Sequence, residues 1–141
     1  MYFDTSYIAK FYINEPESPA LRELVRKSTV INSSLWAYAE FHAVLHRNVR
    51  EGTLSSVIAR DLALRFSRHI DDGLWNLIPV SEGVLRRTSL LIMSAPGNLF
   101  IRTADAVHLT TAQEAREREV WTNDRHMLAA APYFGLSGRS M

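Results

Sequence analysis

The chain has 141 residues, a formal net charge of +1, 47% apolar residues and no cysteine. This excludes a disulfide framework, thiolate metal sites and a cysteine nucleophile, and the apolar fraction argues against disorder. No apolar run approaches the roughly 18 residues of a membrane span. No basic-then-apolar leader opens the chain, so one cytoplasmic domain, residues 1–141, with no membrane partner is expected.

Short strand-like runs alternate with helical patterns, which predicts an α/β fold with a parallel sheet. Met1–Asp4 is a very short first strand. A helix follows from about Ser6 to Tyr12, with Pro16 at its exit, and a second runs from Ser18 to Lys27 with Pro19 in its first turn. Thr29–Asn32 has the pattern of a buried strand. Ser33 and Ser34 then stand where they can cap a long helix, Leu35 to Arg50, which Gly52 ends. A helix from Ser55 to Ile70, a strand from Leu74 to Val80 and a helix from Glu82 to Met93 come next. After Ala95-Pro96-Gly97-Asn98, a helix starts at Thr103 and runs to Arg118. Val120–Thr122 is the next strand, His126–Ala131 a short helix stopped by Pro132, and Phe134–Leu136 a candidate edge strand.

Four carboxylates fall at positions with structural meaning. Asp4 ends the first strand, where parallel sheets place their ligands, although it serves equally as a cap for the next helix. Glu40 lies in a stretch, Leu35 to Leu45, that is apolar nearly all round. An ionised carboxylate buried there needs a cation. That cation is either a metal or Arg47, two turns along the same stripe. Asp105 sits in the first turn of its helix, where backbone N–H groups favour an anion, with His108, Leu109 and Ala112 around it on the wheel. Asp124 follows a strand and precedes a helix, so it too is either a strand-end ligand or a cap. Together these acids suggest one shared pocket, and clustered carboxylates without a fixed partner imply a divalent metal. Such a pocket has a cost. Each carboxylate is expected to raise its neighbours' pKa, so Asp105→Asn is expected to melt higher than the parent in EDTA.

Phe3-Asp4-Thr5-Ser6, Glu40 within its helix, Asp105-Ala106-Val107-His108-Leu109 and Thr122-Asn123-Asp124 resemble, in this order and over essentially the whole chain, the motifs of PIN-domain nucleases. The chain length and the tail Phe134-Gly135-Leu136 resemble the VapC toxins of type II toxin–antitoxin systems. The resemblance implies a PIN-like three-layer α/β/α sandwich around a short, mostly parallel sheet. It implies an endoribonuclease that hydrolyses RNA phosphodiester bonds with Mg²⁺ or Mn²⁺. Asp4 and Asp105 would hold the metal most directly, Glu40 and Asp124 would complete the catalytic pocket, and Thr122 would hydrogen-bond a carboxylate or a water on the metal. A homodimer and a cognate VapB-type antitoxin, whose Arg or Lys enters the pocket, are implied as well.

Lys10 and Lys27 are the only lysines, so the basic residues are nearly all arginine, which grips phosphate with two parallel donors. Codon bias explains this equally. Of Arg86, Arg87, Arg102 and Arg125, the last is favoured as an RNA contact because it adjoins Asp124. His42 and His46, spaced i and i+4, lack a third zinc ligand, and His108 is expected to be a hydrogen-bonded helix residue. Trp36, Trp75 and Trp121 are expected in the core, available to stack bases only where exposed. A PIN nuclease of RNA processing and a non-catalytic PIN-like module are the alternatives. An aspartyl phosphotransferase built on Asp4 is disfavoured, because Ser6 stands where a second acid belongs.

Overall fold

The computed structural model describes residues Met1–Met141. Its elements run β1 (Tyr2–Phe3), α1 (Thr5–Tyr12), α2 (Ser18–Lys27), β2 (Ile31–Ser34), α3 (Trp36–Arg50), α4 (Ser56–Asp71), β3 (Trp75–Ile78), α5 (Glu82–Ser94), α6 (Thr103–Glu114), β4 (Glu119–Trp121), α7 (Arg125–Ala130), a 3-10 turn (Ala131–Phe134) and β5 (Ser137–Arg139). The strands form one five-stranded sheet in the order β3-β2-β1-β4-β5, and every pairing is parallel. The chain builds outward from β1 to the β3 edge, returns past β1, and lays down β4 and β5 on the other side. The order therefore reverses between β1 and β4, where Tyr2 pairs with Val120 and Phe3 with Trp121. Connections leaving in opposite directions at such a point open a crevice beyond the carboxyl ends of the strands.

The short first strand still separates two layers. Successive strand residues face opposite sides, and Tyr2 and Phe3 are both fully buried. Phe3 joins Ile31, Trp75 and apolar residues of α1 to α4, among them Ile8, Leu21, Phe41 and Phe66. Tyr2 joins Val120, Leu109, Met127 and Phe134, from β4, α6, α7 and the 3-10 turn. The result is the α/β/α sandwich expected from the resemblance, with a wholly parallel sheet. Helix α6 is enclosed on all sides: Ala106 through Ala112 are buried without interruption.

Some boundaries differ from the sequence expectation. Strand β2 lies two residues later than Thr29–Asn32, because Ser33 and Ser34 are strand residues. The Ser33 hydroxyl donates to the Phe3 carbonyl at 2.8 Å, tying β2 to β1, while Ser34 Oγ accepts the Trp36 N–H at 3.1 Å. Helix α6 stops at Glu114, short of Arg118, as Arg116 turns left-handed at φ 57°. The edge strand is Ser137–Arg139 instead of Phe134–Leu136, because Phe134 closes the 3-10 turn and Gly135, at φ 72°, reverses the chain. Trp36 is 45% exposed and does not belong to the core, whereas Trp75 does. No helix is long and apolar enough to cross a membrane.

Candidate active site

Asp4, Glu40, Asp105 and Asp124 border one cleft of about 360 Å³, together with Thr5, Ser6, Arg47, Arg102 and His108. It lies at the β1/β4 switch. Asp4 immediately follows β1 and caps α1. Its Oδ1 accepts the Tyr7 N–H at 2.9 Å and the Ser6 hydroxyl at 2.7 Å, and its Oδ2 accepts the Thr122 hydroxyl at 2.5 Å. Capping and cleft lining are thus performed by one carboxylate. Burial pushes the Asp4 carboxyl above its ordinary pKa, against the pull of Thr122, the Tyr7 N–H and Ser6.

Thr122 joins the two strand ends, since its Oγ also accepts the Asp124 N–H at 3.0 Å. Asp124 Oδ1 caps α7 by accepting the N–H groups of His126 (2.8 Å) and Met127 (3.0 Å). Its Oδ2 accepts from the Arg102 guanidinium. Burial would raise the Asp124 carboxyl, but the Met127 N–H, Arg102 and the His126 N–H outweigh it and hold it below the usual range. Asp105, in the first turn of α6, accepts from Arg102 Nε at 2.7 Å. One guanidinium, on the residue before α6, therefore spans two of the acids, and its own pKa rises through the Asp105 and Asp124 hydrogen bonds.

Glu40 does not pair with Arg47, although Arg47 lines the same cleft. Its Oε2 accepts from the Thr5 hydroxyl and from His108 Nε2, the latter at 2.8 Å. Burial works against the charged form, yet hydrogen bonds from His108, Thr5 and Trp36 hold Glu40 below its ordinary pKa. The expectation that the acids raise one another's pKa is not met: Asp4 is raised by burial, and Glu40 and Asp124 are lowered by partners. Sequence inspection missed those partners. Arg102 precedes Asp105 by three residues and His108 follows it by three, spacings at which side chains on one helix face meet. Accordingly Asp105→Asn, which takes a partner from Arg102, is now expected to melt lower than the parent in EDTA, not higher. Arg125 is exposed and does not line the cleft. His42 is bonded through Nδ1 to the Tyr38 carbonyl at 2.7 Å.

The donors suit a hard divalent ion in kind, being carboxylate oxygens without sulfur. In the arrangement seen, no three Asp, Glu or His side chains converge tightly enough to ligate one ion, and Arg102 lies between Asp105 and Asp124. An ion on Oδ2 of Asp105 or Asp124 thus competes with Arg102.

The PIN-domain family model matches residues 1–132. The chain belongs to the PIN-domain family. Within it the chain stands with the VapC proteins. It is 31% identical over 142 residues to ribonuclease VapC46 of Mycobacterium tuberculosis (strain ATCC 25618 / H37Rv), covering 97% of this chain and 94% of that one. The crystal structure of Mycobacterium tuberculosis VapC20, a Sarcin-Ricin loop cleaving toxin, superposes with a TM-score of 0.70 over 92% of this chain and 93% of that one. At 15% identity that second likeness is one of fold.

Proposed function

We propose that the chain is a Mg²⁺- or Mn²⁺-dependent endoribonuclease and the toxin of a type II toxin–antitoxin pair. The observation that carries this reading is the gathering of Asp4, Glu40, Asp105 and Asp124 around one cleft at the sheet's switch point. The names of the two relatives, a ribonuclease and a Sarcin-Ricin loop cleaving toxin, support RNA as the substrate class.

In this reading Asp4 and Asp105 hold the ion, Glu40 and Asp124 complete the pocket, and Thr122 fixes the Asp4 carboxylate. A bound divalent ion supplies a more acidic water and neutralises charge developing on the phosphate. The chain's own residues position the rest. Glu40 Oε1, the oxygen not taken by Thr5 and His108, accepts a hydrogen bond from the attacking water. Arg102 exchanges its carboxylate partners for phosphate oxygens, which its planar fork fits. Trp36, exposed one turn before Glu40 on α3, offers a face on which a base can stack. The toxin role brings a cytoplasmic setting, a homodimer and a VapB-type antitoxin whose Arg or Lys enters the acidic cleft, satisfying the same carboxylates.

Incubation of the purified protein with structured and single-stranded RNA tests this. Cleavage is expected with Mg²⁺ or Mn²⁺, with loss in EDTA and recovery when the ion is restored. Full cleavage in EDTA, unaffected by added ion, would overturn it.

A further inference from the structure

We propose that His108 is a positioning residue for Glu40, held by Tyr2 as the Nε2–H tautomer so that it aims the Glu40 carboxylate at the cleft. The inference rests on the reading of Glu40 as part of an RNA-cleaving pocket.

His108 is 3% exposed on the enclosed helix α6. Its Nε2 lies 2.8 Å from Glu40 Oε2 and 3.2 Å from Thr5 Oγ1, and its Nδ1 lies 2.9 Å from the Tyr2 hydroxyl. The Tyr2 ring meets the imidazole edge-on, with centroids 5.9 Å apart and planes at 80°. These contacts assign the hydrogens. An ionised carboxylate only accepts, so Nε2 carries the hydrogen shared with Glu40. In a neutral ring this makes Nδ1 the acceptor for the Tyr2 hydroxyl. The bond at one ring nitrogen fixes which hydrogen the other presents. Tyr2 is fully buried and stands in β1, two residues before Asp4. One short strand therefore sets two acids, Asp4 by direct succession and Glu40 through His108.

The geometry also explains how Glu40 is oriented. The donors His108 and Thr5 converge on Oε2, which fixes the carboxylate plane and leaves Oε1 to a ligand. Glu40 extends from α3, whereas Thr5 belongs to α1 and His108 to α6. These two hydrogen bonds, together with the Trp36 side chain that also bonds Glu40, restrain its rotation toward the cleft. A histidine that served packing alone would not need to present a donor to a half-exposed acid.

Two isosteric variants separate these roles. In His108→Gln the amide nitrogen reaches the place of Nε2 and retains donation to Glu40. In His108→Asn the shorter amide reaches only the place of Nδ1. Neither side chain titrates. His108→Gln is expected to keep cleavage within about fivefold of the parent. His108→Asn is expected to lose about 10–100-fold in kcat with KM little changed, the usual cost of removing a partner that orients a site carboxylate or ligand. Melting temperatures of both are expected to fall alike. Equal activity of the two variants, or losses that follow only the folded fraction, would overturn the inference while leaving the nuclease reading intact. Lack of any cleavage by the parent would instead overturn the nuclease reading. Independently of activity, imidazole ¹⁵N spectra of the metal-free parent at about pH 7.5 are expected to show His108 as the Nε2–H tautomer. An Nδ1–H tautomer there would overturn the inference.

Discussion

Replacing Arg102 with Gln leaves Asp105 and Asp124 without their shared cation. The guanidinium is 51% exposed, and the two carboxylate side chains are 16% and 29% exposed. Ion pairs this close to solvent are screened, and each contributes about 0.2–1 kcal/mol. Two pairs on one cation therefore place the loss in the metal-free protein near 1 kcal/mol. For a chain of this size that corresponds to a fall in Tm of about 2–4 °C. Metal should offset this loss. An ion bound through Asp105 Oδ2 has to displace Arg102 in the parent but not in the variant. If displacement costs about 1 kcal/mol, the variant binds Mg²⁺ or Mn²⁺ about fivefold more tightly. Its melting temperature should then rise more with added ion, and the two curves should converge near saturation. The assay is a thermal melt at about pH 7.5, in EDTA and across an ion titration, with Arg65→Gln as the control for loss of an exposed helix pair. A variant that melts at or above the parent in EDTA, or that gains no more than the parent from the ion, would refute the placement of Arg102 in the ion's way.

Elsewhere, the Tyr12 hydroxyl accepts from Trp75 Nε1 and lies 2.7 Å from His69 Nδ1, to which it can donate only when the imidazole is neutral. Burial lowers the His69 pKa, with Arg65 and Arg68 adding to it against Asp72. The folded state then binds fewer protons than the unfolded one, so this stability is complete above the ordinary histidine value and is lost as pH falls below it. The Tm advantage of the parent over His69→Asn should shrink between about pH 7.5 and pH 5.5; a constant difference would mean that His69 titrates alike in both states. A Cβ at Gly138 would meet Leu128 Cδ2 at 2.8 Å and Leu128 backbone atoms at 3.3 Å, so the Leu128 side chain would have to turn aside and β5 shift slightly from α7. Gly138→Ala should cost about 1–3 kcal/mol, whereas Gly97→Ala, with open space around it, should be nearly silent in the same melt.

Much of the fold was legible because periodicity and punctuation agree along the chain. Polar strands were not. Ile31–Ser34 carries three polar residues and Ser137–Arg139 has no apolar residue, so neither shows the alternation that marks a strand. They hold their places through neighbours: Ser33 through Phe3, and β5 through parallel pairing with β4. The candidate acids were visible because each stands where charge is unusual, at a strand end, in a helix start or in an apolar stretch. Their partners were not visible for a different reason. A helical wheel gives the direction of Glu40 but not the distance to another helix, so Arg47 on its own helix looked nearer than His108 on α6. Arg102 precedes the first turn of α6 and reaches across to α7, a contact created only by the tertiary fold. Trp36 misled because its neighbours Ala37 and Phe41 are core residues while its own side faces solvent.

Crystals soaked in Mn²⁺ and measured for anomalous scattering test the central claim most directly, because they locate the ion. The expected result is a peak about 2.1–2.3 Å from carboxylate oxygens of Asp4 and Asp105, with the Arg102 guanidinium withdrawn from both Asp105 and Asp124. No peak at saturating Mn²⁺, or a peak elsewhere with Arg102 still bridging the two acids, would contradict it.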